Sequence, residues 1–195
     1  MATLQFVREQ KNPNLLLLGV VEEGESAHYT VGLSAFRDLG APSVGDQLDS
    51  AQMTAIRYND ELIRAKKKAL NIIAYADNSK KNLSLKLYRA GFSREIIESV
   101  CEYMTERGYI NEERQLERLI SVEANTKLRG PMKIIPAIAS KGYSVSQVKS
   151  VLNRLVDSGE IDFSLNSEKL LQKKLPEASD DEEIKKILYK NGFVI

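Results

Sequence analysis

A segment of 25 residues, Leu87–Asn111 (LYRAGFSREIIESVCEYMTERGYIN), returns 51 positions later as Ile138–Asp162 (IASKGYSVSQVKSVLNRLVDSGEID). Six of the 25 aligned positions are identical, namely Gly91/Gly142, Ser93/Ser144, Ser99/Ser150, Val100/Val151, Gly108/Gly159 and Ile110/Ile161. Leu87, Phe92, Ile97, Cys101 and Met104 keep their apolar type as Ile138, Tyr143, Val148, Leu152 and Leu155. A third start, Leu188–Ile195 (LYKNGFVI), stands 50 residues further on, with Gly192-Phe193 in place of Gly91-Phe92. A fixed period of this length predicts one supersecondary unit used repeatedly, each copy too small to bury its apolar face alone.

Each copy reads as helices separated by glycine stops. Gly91 and Gly142 fall where a left-handed cap is wanted, and Ser93 and Ser144 are placed to accept the first amides of the next helix. Ser144-x-x-Gln147 also fits a capping box. The helix that follows carries Ile97, Val100, Cys101 and Met104 in one copy and Val148, Val151, Leu152 and Leu155 in the other, both i, i+3, i+4, i+7 stripes. Gly108 and Gly159 then end the helix, and Asn111 and Asp162 can cap the next.

The rest of the chain fits around these copies. Residues from about Thr3 to Gly32 read as strands, with Leu4–Arg8, Leu15–Val21 and His28–Val31 separated by Asn12-Pro13-Asn14 and by a turn over Glu22–Ser26. Ser34–Leu39 is a short helix ended by Gly40. Asp49 or Ser50 can cap a long helix to about Ala76, with Met53, Ile56, Ile63, Leu70 and Ile73 inward. Lys66-Lys67-Lys68 fans around that helix and reads as a solvated surface. Asp77-Asn78-Ser79 caps a helix over Lys80–Ala90. Asn125 to Gly130 is a loop, and Pro131 suits a helix start. Pro136 requires that this helix be kinked or begin nearer Ile134. Phe163–Lys174 is helical, Pro176 interrupts, and Ser179-Asp180-Asp181-Glu182 opens a last helix to Lys190. These readings predict a mainly α chain: a β-rich lobe over 1–48, then helical repeats over 49–111, 112–162 and 163–195.

Function has few candidate residues. One cysteine and one histidine leave almost nothing for a zinc site, and one cysteine makes no internal disulfide. Cys101 lies on the core stripe opposite Leu152 in the other copy and reads as a buried structural thiol; His28 reads as a structural or solvent-facing side chain. There is no glycine-rich phosphate loop and no nucleophile with a base, so no catalytic residue, cofactor or metal is assigned. The acids of Asp180–Glu183 suit a helix first turn. No apolar run approaches 18 residues and no basic-then-apolar leader opens the chain, so a cytoplasmic protein is expected.

Charge gives the clearest functional signal. Residues 124–156 hold six cations, Lys127, Arg129, Lys133, Lys141, Lys149 and Arg154, and no acid, although the whole chain nearly balances at +1. An unneutralised set of this kind fits a polyanionic partner, either DNA phosphate or an acidic protein face; a solvated basic surface is the plain alternative. No copy has a helix dense in Arg, Lys, Asn and Gln, so any DNA binding should be sequence-tolerant and salt-sensitive.

Four motifs stand in order along the chain: the helix end Ala69–Tyr75, the Ser79…Leu83…Leu87 helix leading to Ala90-Gly91-Phe92-Ser93, the junction Gly108–Arg114, and Leu128-Arg129-Gly130-Pro131 followed by Lys141-Gly142-Tyr143-Ser144. With these motifs the chain resembles the RecX family of bacterial regulators of the RecA recombinase. The resemblance covers roughly residues 65–195. Glu112, Gln115-Leu116 and Pro136 depart from the family's usual residues. The resemblance implies tandem three-helix units in an extended curved array, without enzymatic activity. It further implies docking on the RecA–single-stranded DNA filament, with effects on its ATPase, strand-exchange and coprotease activities in recombination and the SOS response. The expected partners are that filament and, through phosphates, single- or double-stranded DNA, with the protein acting as a monomer. The candidate anchors are the six cations above, joined by Arg89, Arg114 and Arg118.

Overall fold

The structure, a computed structural model, describes residues 2–174 and 180–194. It is mainly helical with a small amino-terminal sheet. Two compact units divide the chain, the first made of Met1–Ala74 and Ser84–Met104, the second of Tyr75–Leu83 and Thr105–Ile195.

In the first unit, strands β1 (Ala2–Glu9), β2 (Leu15–Glu22) and β3 (Glu25–Gly32) form an antiparallel sheet, extended by the two-residue β4 (Gln47–Leu48), in the order β3-β2-β1-β4. The β2–β3 turn is tighter than the sequence suggested. Only Glu23 and Gly24 form it, both at positive φ (52° and 86°), as the right-handed twist of a two-residue hairpin requires. One sheet face, with Leu4, Leu16, Leu18 and Val20, is buried together with Phe36 of α1 (Leu33–Asp38) and with Met53 and Ile56 of α2 (Ser50–Tyr75). On the other face the Phe6 ring covers Gly19, where any Cβ would strike it, and His28 lies against the same ring with centroids 5.5 Å apart. His28 is thus an exposed strand residue against an aromatic.

Helix α2 opens on a reciprocal cap: Asp49 accepts from the Gln52 N–H (2.7 Å), and the Gln52 side chain accepts from the Asp49 N–H (3.0 Å). Leu70, expected inward, is 40% exposed. Burial moves along this helix from Met53 and Ile56, which face the sheet, to Ala65 and Ala69 on a different side. A fixed seven-residue spacing does not follow that change of partner. Lys66 is half-buried, with its ammonium 4.1 Å from the Tyr103 ring centre on α4 (Arg94–Glu106), while Lys67 and Lys68 are exposed. Ile96, Ile97, Val100, Cys101 and Met104 form the buried stripe of α4, so the lone cysteine is a core residue.

The second unit holds α5 (Glu112–Ser121), α6 (Pro131–Ala139), α7 (Val145–Asp157), α8 (Phe163–Lys174) and α9 (Asp181–Lys190); α3 (Lys80–Arg89) is divided between the units. The period survives in the element boundaries. Helices α4 and α7 are both 13 residues long and begin 51 residues apart, as do α3 and α6, and α5 and α8; α9 begins 50 after α6. Each stop glycine has positive φ, from 71° at Gly108 to 95° at Gly142. Ser144 and Gln147 form the expected capping box, and Asn111 and Asp162 cap α5 and α8. A single core joins α5, α6 and α7 through Leu116, Ile120, Ile134, Ile138, Val148, Leu152 and Leu155.

Three local readings change. Pro136 lies inside α6, which begins at Pro131 rather than nearer Ile134: its first turn is held from outside the helix, as described below. Residues 125–130 are not a loop throughout, because Val122–Thr126 continues α5 as a π-helical turn. The cap of α9 is Asp180, whose carboxylate accepts from the Glu183 N–H at 2.8 Å; Pro176 and Ser179 lie outside the described residues.

Candidate docking surface

The acid-free stretch is less unneutralised than its composition suggests. Its first two cations close on Glu123, one residue outside it: Lys127 Nζ lies 2.6 Å and Arg129 Nη1 2.5 Å from the Glu123 carboxylate, which is buried. The π turn produces this arrangement. The Lys127 N–H donates to the Val122 carbonyl five residues back, and the Arg129 N–H reaches the Glu123 carbonyl, both at 3.0 Å. The wider turn carries Glu123 inward and brings Leu128, at φ 53°, into a small core with Leu170 and Phe193. A left-handed leucine costs about 1–2 kcal/mol; burial of its side chain, worth a similar amount, offsets this. Burial opposes ionisation of Glu123, but the Lys127 hydrogen bond and the Arg129 and Lys127 charges outweigh it and hold the carboxyl below its ordinary range. Asn125 extends the same turn, donating to the Glu160 carbonyl (3.0 Å) and accepting from buried Asn166 (2.9 Å).

Two further cations are also paired. Arg154 on α7 bridges Glu113 (3.0 Å) and Glu117 (2.7 Å) of α5, and those carboxylates raise its pKa further. Arg118 pairs with Asp77. Sequence position hid all these partners, since the acids stand up to 41 residues away. By contrast Arg89, Arg114, Lys133, Lys141 and Lys149 are exposed and have no ion-pair partner among the described residues. Lys133 stands in the first turn of α6, Lys141 on the turn after it, and Lys149 on α7. Lys149 also lines a cleft of about 430 Å³ with Pro131, Ile135, Leu152 and Val156.

A repeated corner fixes where this basic hairpin sits. The Ser79 hydroxyl, ahead of α3, donates to the Lys141 carbonyl (3.0 Å), and a Cβ on Gly142 would lie 2.5 Å from that hydroxyl. One period on, the Gly130 N–H, ahead of α6, donates to the Asn191 carbonyl (2.9 Å), the Met132 N–H donates to the Gly192 carbonyl (3.1 Å), and Gly130 packs directly on Gly192. These contacts satisfy amides that a helix start leaves open and hold α6 from Pro131 despite Pro136. The sequence marked Gly142 and Gly192 as left-handed stops. Their second role, close approach to the preceding copy, had no sequence signal beyond the smallness of Ser79 and Gly130, which occupy equivalent positions.

Buried Tyr143 completes the site's frame. Its hydroxyl donates to Gln115 Oε1 at 2.7 Å, and burial, then the Glu112 and Asp77 charges against the opposing Arg118, pushes its pKa up to about 12. Among the described residues no group of His, Cys, Asp and Glu is arranged to hold a metal ion, and no helix is long and apolar enough to cross a membrane.

These features define a helical-repeat protein that presents exposed cations on a rigid hairpin. Comparison with known proteins shows what the chain is similar to. The family model described as "RecX, first three-helix domain" matches residues 65–104. Proteins named regulatory protein RecX are similar over longer stretches. That of Clostridioides difficile is 28% identical over 146 residues, 75% of this chain and 66% of the relative. That of Pseudomonas fluorescens Pf-5 is 30% identical over 100 residues, 51% of this chain and 63% of the relative. The crystal structure of a regulatory protein RecX superposes with a TM-score of 0.73 at 20% identity, covering 100% of this chain and 95% of that one. The RecX structure from Lactobacillus salivarius gives 0.59 at 20% identity over 69% of this chain and 90% of that one. The chain is thus similar to proteins named regulatory protein RecX, and residues 65–104 match that family's first three-helix domain. Its matched segments span about two thirds of the length of those first two relatives.

Proposed function

We propose that this chain regulates the RecA recombinase by docking on the RecA–single-stranded DNA filament, lowering its ATPase, strand-exchange and coprotease activities. It acts in the cytoplasm, as a monomer, by binding rather than by catalysis, with the helical repeats over 49–111, 112–162 and 163–195 as its docking modules. The observation that carries this reading is the set Lys133, Lys141 and Lys149: three exposed lysines on one helix–turn–helix hairpin, without ion-pair partners among the described residues. Such charges can pair with an acidic filament face without breaking an internal ion pair. Lys127, Arg129 and Arg154 are weaker anchors, since each would leave an existing carboxylate. Similarity to proteins named regulatory protein RecX supports a regulatory role.

The test is the single-stranded-DNA-dependent ATPase of RecA at physiological salt, with this protein substoichiometric. Inhibition by the wild type and its loss in Lys133→Glu/Lys141→Glu/Lys149→Glu, with the helical circular dichroism unchanged, is expected. No effect of the wild type refutes the function, and full inhibition by the triple variant refutes the docking face.

A further inference from the structure

We infer that the cleft of Asp77, Gly108, Tyr109, Asn111, Arg114 and Arg118 binds one nucleotide of a single-stranded nucleic acid, with its base on the Tyr109 ring and its phosphate on Arg114 and Arg118. This deepens the reading above, and rests on it only for the identity of the strand, the DNA at the heart of the filament. The cleft encloses about 280 Å³, below the ~300–1,000 Å³ of small-molecule pockets, so it suits a stacking platform better than an enclosed metabolite site. Tyr109 is 48% exposed although both its neighbours are fixed: Gly108 closes the α4 stop with an N–H donated to Thr105 (2.9 Å), and Ile110 is buried. An aromatic on so short and rigid a connection loses little freedom when a base stacks on it. Beyond its two chain neighbours, no atom of the described residues lies within 4 Å of where a Gly108 Cβ would stand, which leaves the backbone beside the ring open to a close ligand.

The internal repeat supplies a control for what the fold alone demands. At an offset of 51 the frame is kept, with Gly159, Ile161 and Asp162 in place of Gly108, Ile110 and Asn111. The chemistry is not kept: Tyr109 becomes Glu160, Arg114 becomes Leu165, Arg118 becomes Lys169 and Asp77 becomes Leu128. The same turn and cap therefore form without the tyrosine and the two arginines, so these side chains are not there to build the turn. Arg114 is exposed and has no ion-pair partner among the described residues, whereas Arg118 is held by Asp77. Of the charged residues lining the cleft, two are basic and one acidic, and the acid occupies one guanidinium that a phosphate would use. Asp77 thus competes with the ligand, and its removal should tighten binding.

The experiment is fluorescence anisotropy of a labelled deoxythymidine 15-mer titrated with the full chain, without RecA, at several salt concentrations. The wild type should bind in low salt. Tyr109→Ala should raise Kd about tenfold, within the range for one lost base–aromatic stack, and Tyr109→Phe should stay within about twofold. Arg114→Gln should weaken binding and reduce the magnitude of the log–log salt slope by about 0.7, as for one lost phosphate contact on a single strand. Asp77→Asn should tighten binding by about two- to threefold, a gain that a purely structural role for this corner does not produce. No binding by the wild type at low salt, or wild-type affinity in both Tyr109→Ala and Arg114→Gln, overturns the site. The RecA ATPase separates this from the docking proposal. An ATPase effect without oligonucleotide binding removes this site alone, and oligonucleotide binding lost in Tyr109→Ala without any ATPase effect leaves it standing.

Discussion

Gly130 should not accept a methyl group, although nothing in its own backbone forbids one. Its φ of −83° and ψ of 169° are open to alanine, so Gly130→Ala tests contact alone. The added Cβ would overlap the Gly192 carbonyl, a backbone atom that yields only if the turn after α9 moves away. That movement breaks the Gly130–Asn191 and Met132–Gly192 hydrogen bonds, at about 1 kcal/mol each. It also withdraws Phe193 from Leu128 and Leu170 and from an edge-on contact with Phe163 at 6.2 Å, worth about 1.5–3 kcal/mol of burial. The sum is about 3–5 kcal/mol, concentrated in the docking of α9. Gly159 is the contrasting position, with φ 78° and, beyond its chain neighbours, no described residue within 4 Å of its Cβ, so Gly159→Ala should cost only about 1–2 kcal/mol of backbone strain. Urea unfolding and amide hydrogen exchange over Asp181–Lys190 measure both. Should Gly130→Ala cost less than about 1 kcal/mol and leave α9 amides protected as in the wild type, the corner does not hold α9 and the argument fails.

Two further outcomes follow from the buried polar groups. Glu123→Gln should destabilise the fold by about 1–3 kcal/mol, the range for charge-assisted hydrogen bonds lost on one side while Lys127 and Arg129 can still reach water. Because the Glu123 carboxyl is held below its ordinary value of 4.5, its contribution is complete above that pH and lost as pH falls through the lower folded value. The wild-type advantage in urea midpoint should therefore narrow in acid, and a gap that stays constant down to pH 3 counts against the clamp. Tyr143→Phe should cost about 1–3 kcal/mol by leaving buried Gln115 without its donor. Ultraviolet titration should show one of the eight tyrosines ionising near 12 rather than 10, absent in the variant. With the folded value raised, the associated stability is full below pH 10 and lost as pH rises through about 12.

Local chemistry was legible throughout. The 51-residue offset, the stop glycines and the i, i+3, i+4, i+7 stripes are properties of neighbours in the chain, and they fixed the helices, their caps and the buried face of α4 and α7. The strands were legible for the same reason, since β1 to β3 alternate or run apolar between turn residues, while the two-residue β4 was too short to leave a pattern. Leu70 misled because α2 changes the face it buries along its length, and only the packed structure shows with what.

Charge was the least legible quantity. A count along the chain made residues 124–156 wholly basic, yet Glu123 takes Lys127 and Arg129, and Glu113 and Glu117 take Arg154. Ion pairing acts through distance in space, and acids from outside a segment are invisible to a count within it. The same holds for the corner where Ser79 meets Gly142 and Gly130 meets Gly192. The sequence by itself determined which helices form and where the glycine stops fall, because hydrogen bonds and side-chain stripes within a few residues decide that. Only the tertiary structure decided which cations stay available to a partner, because that depends on what the folded chain brings within reach of each one.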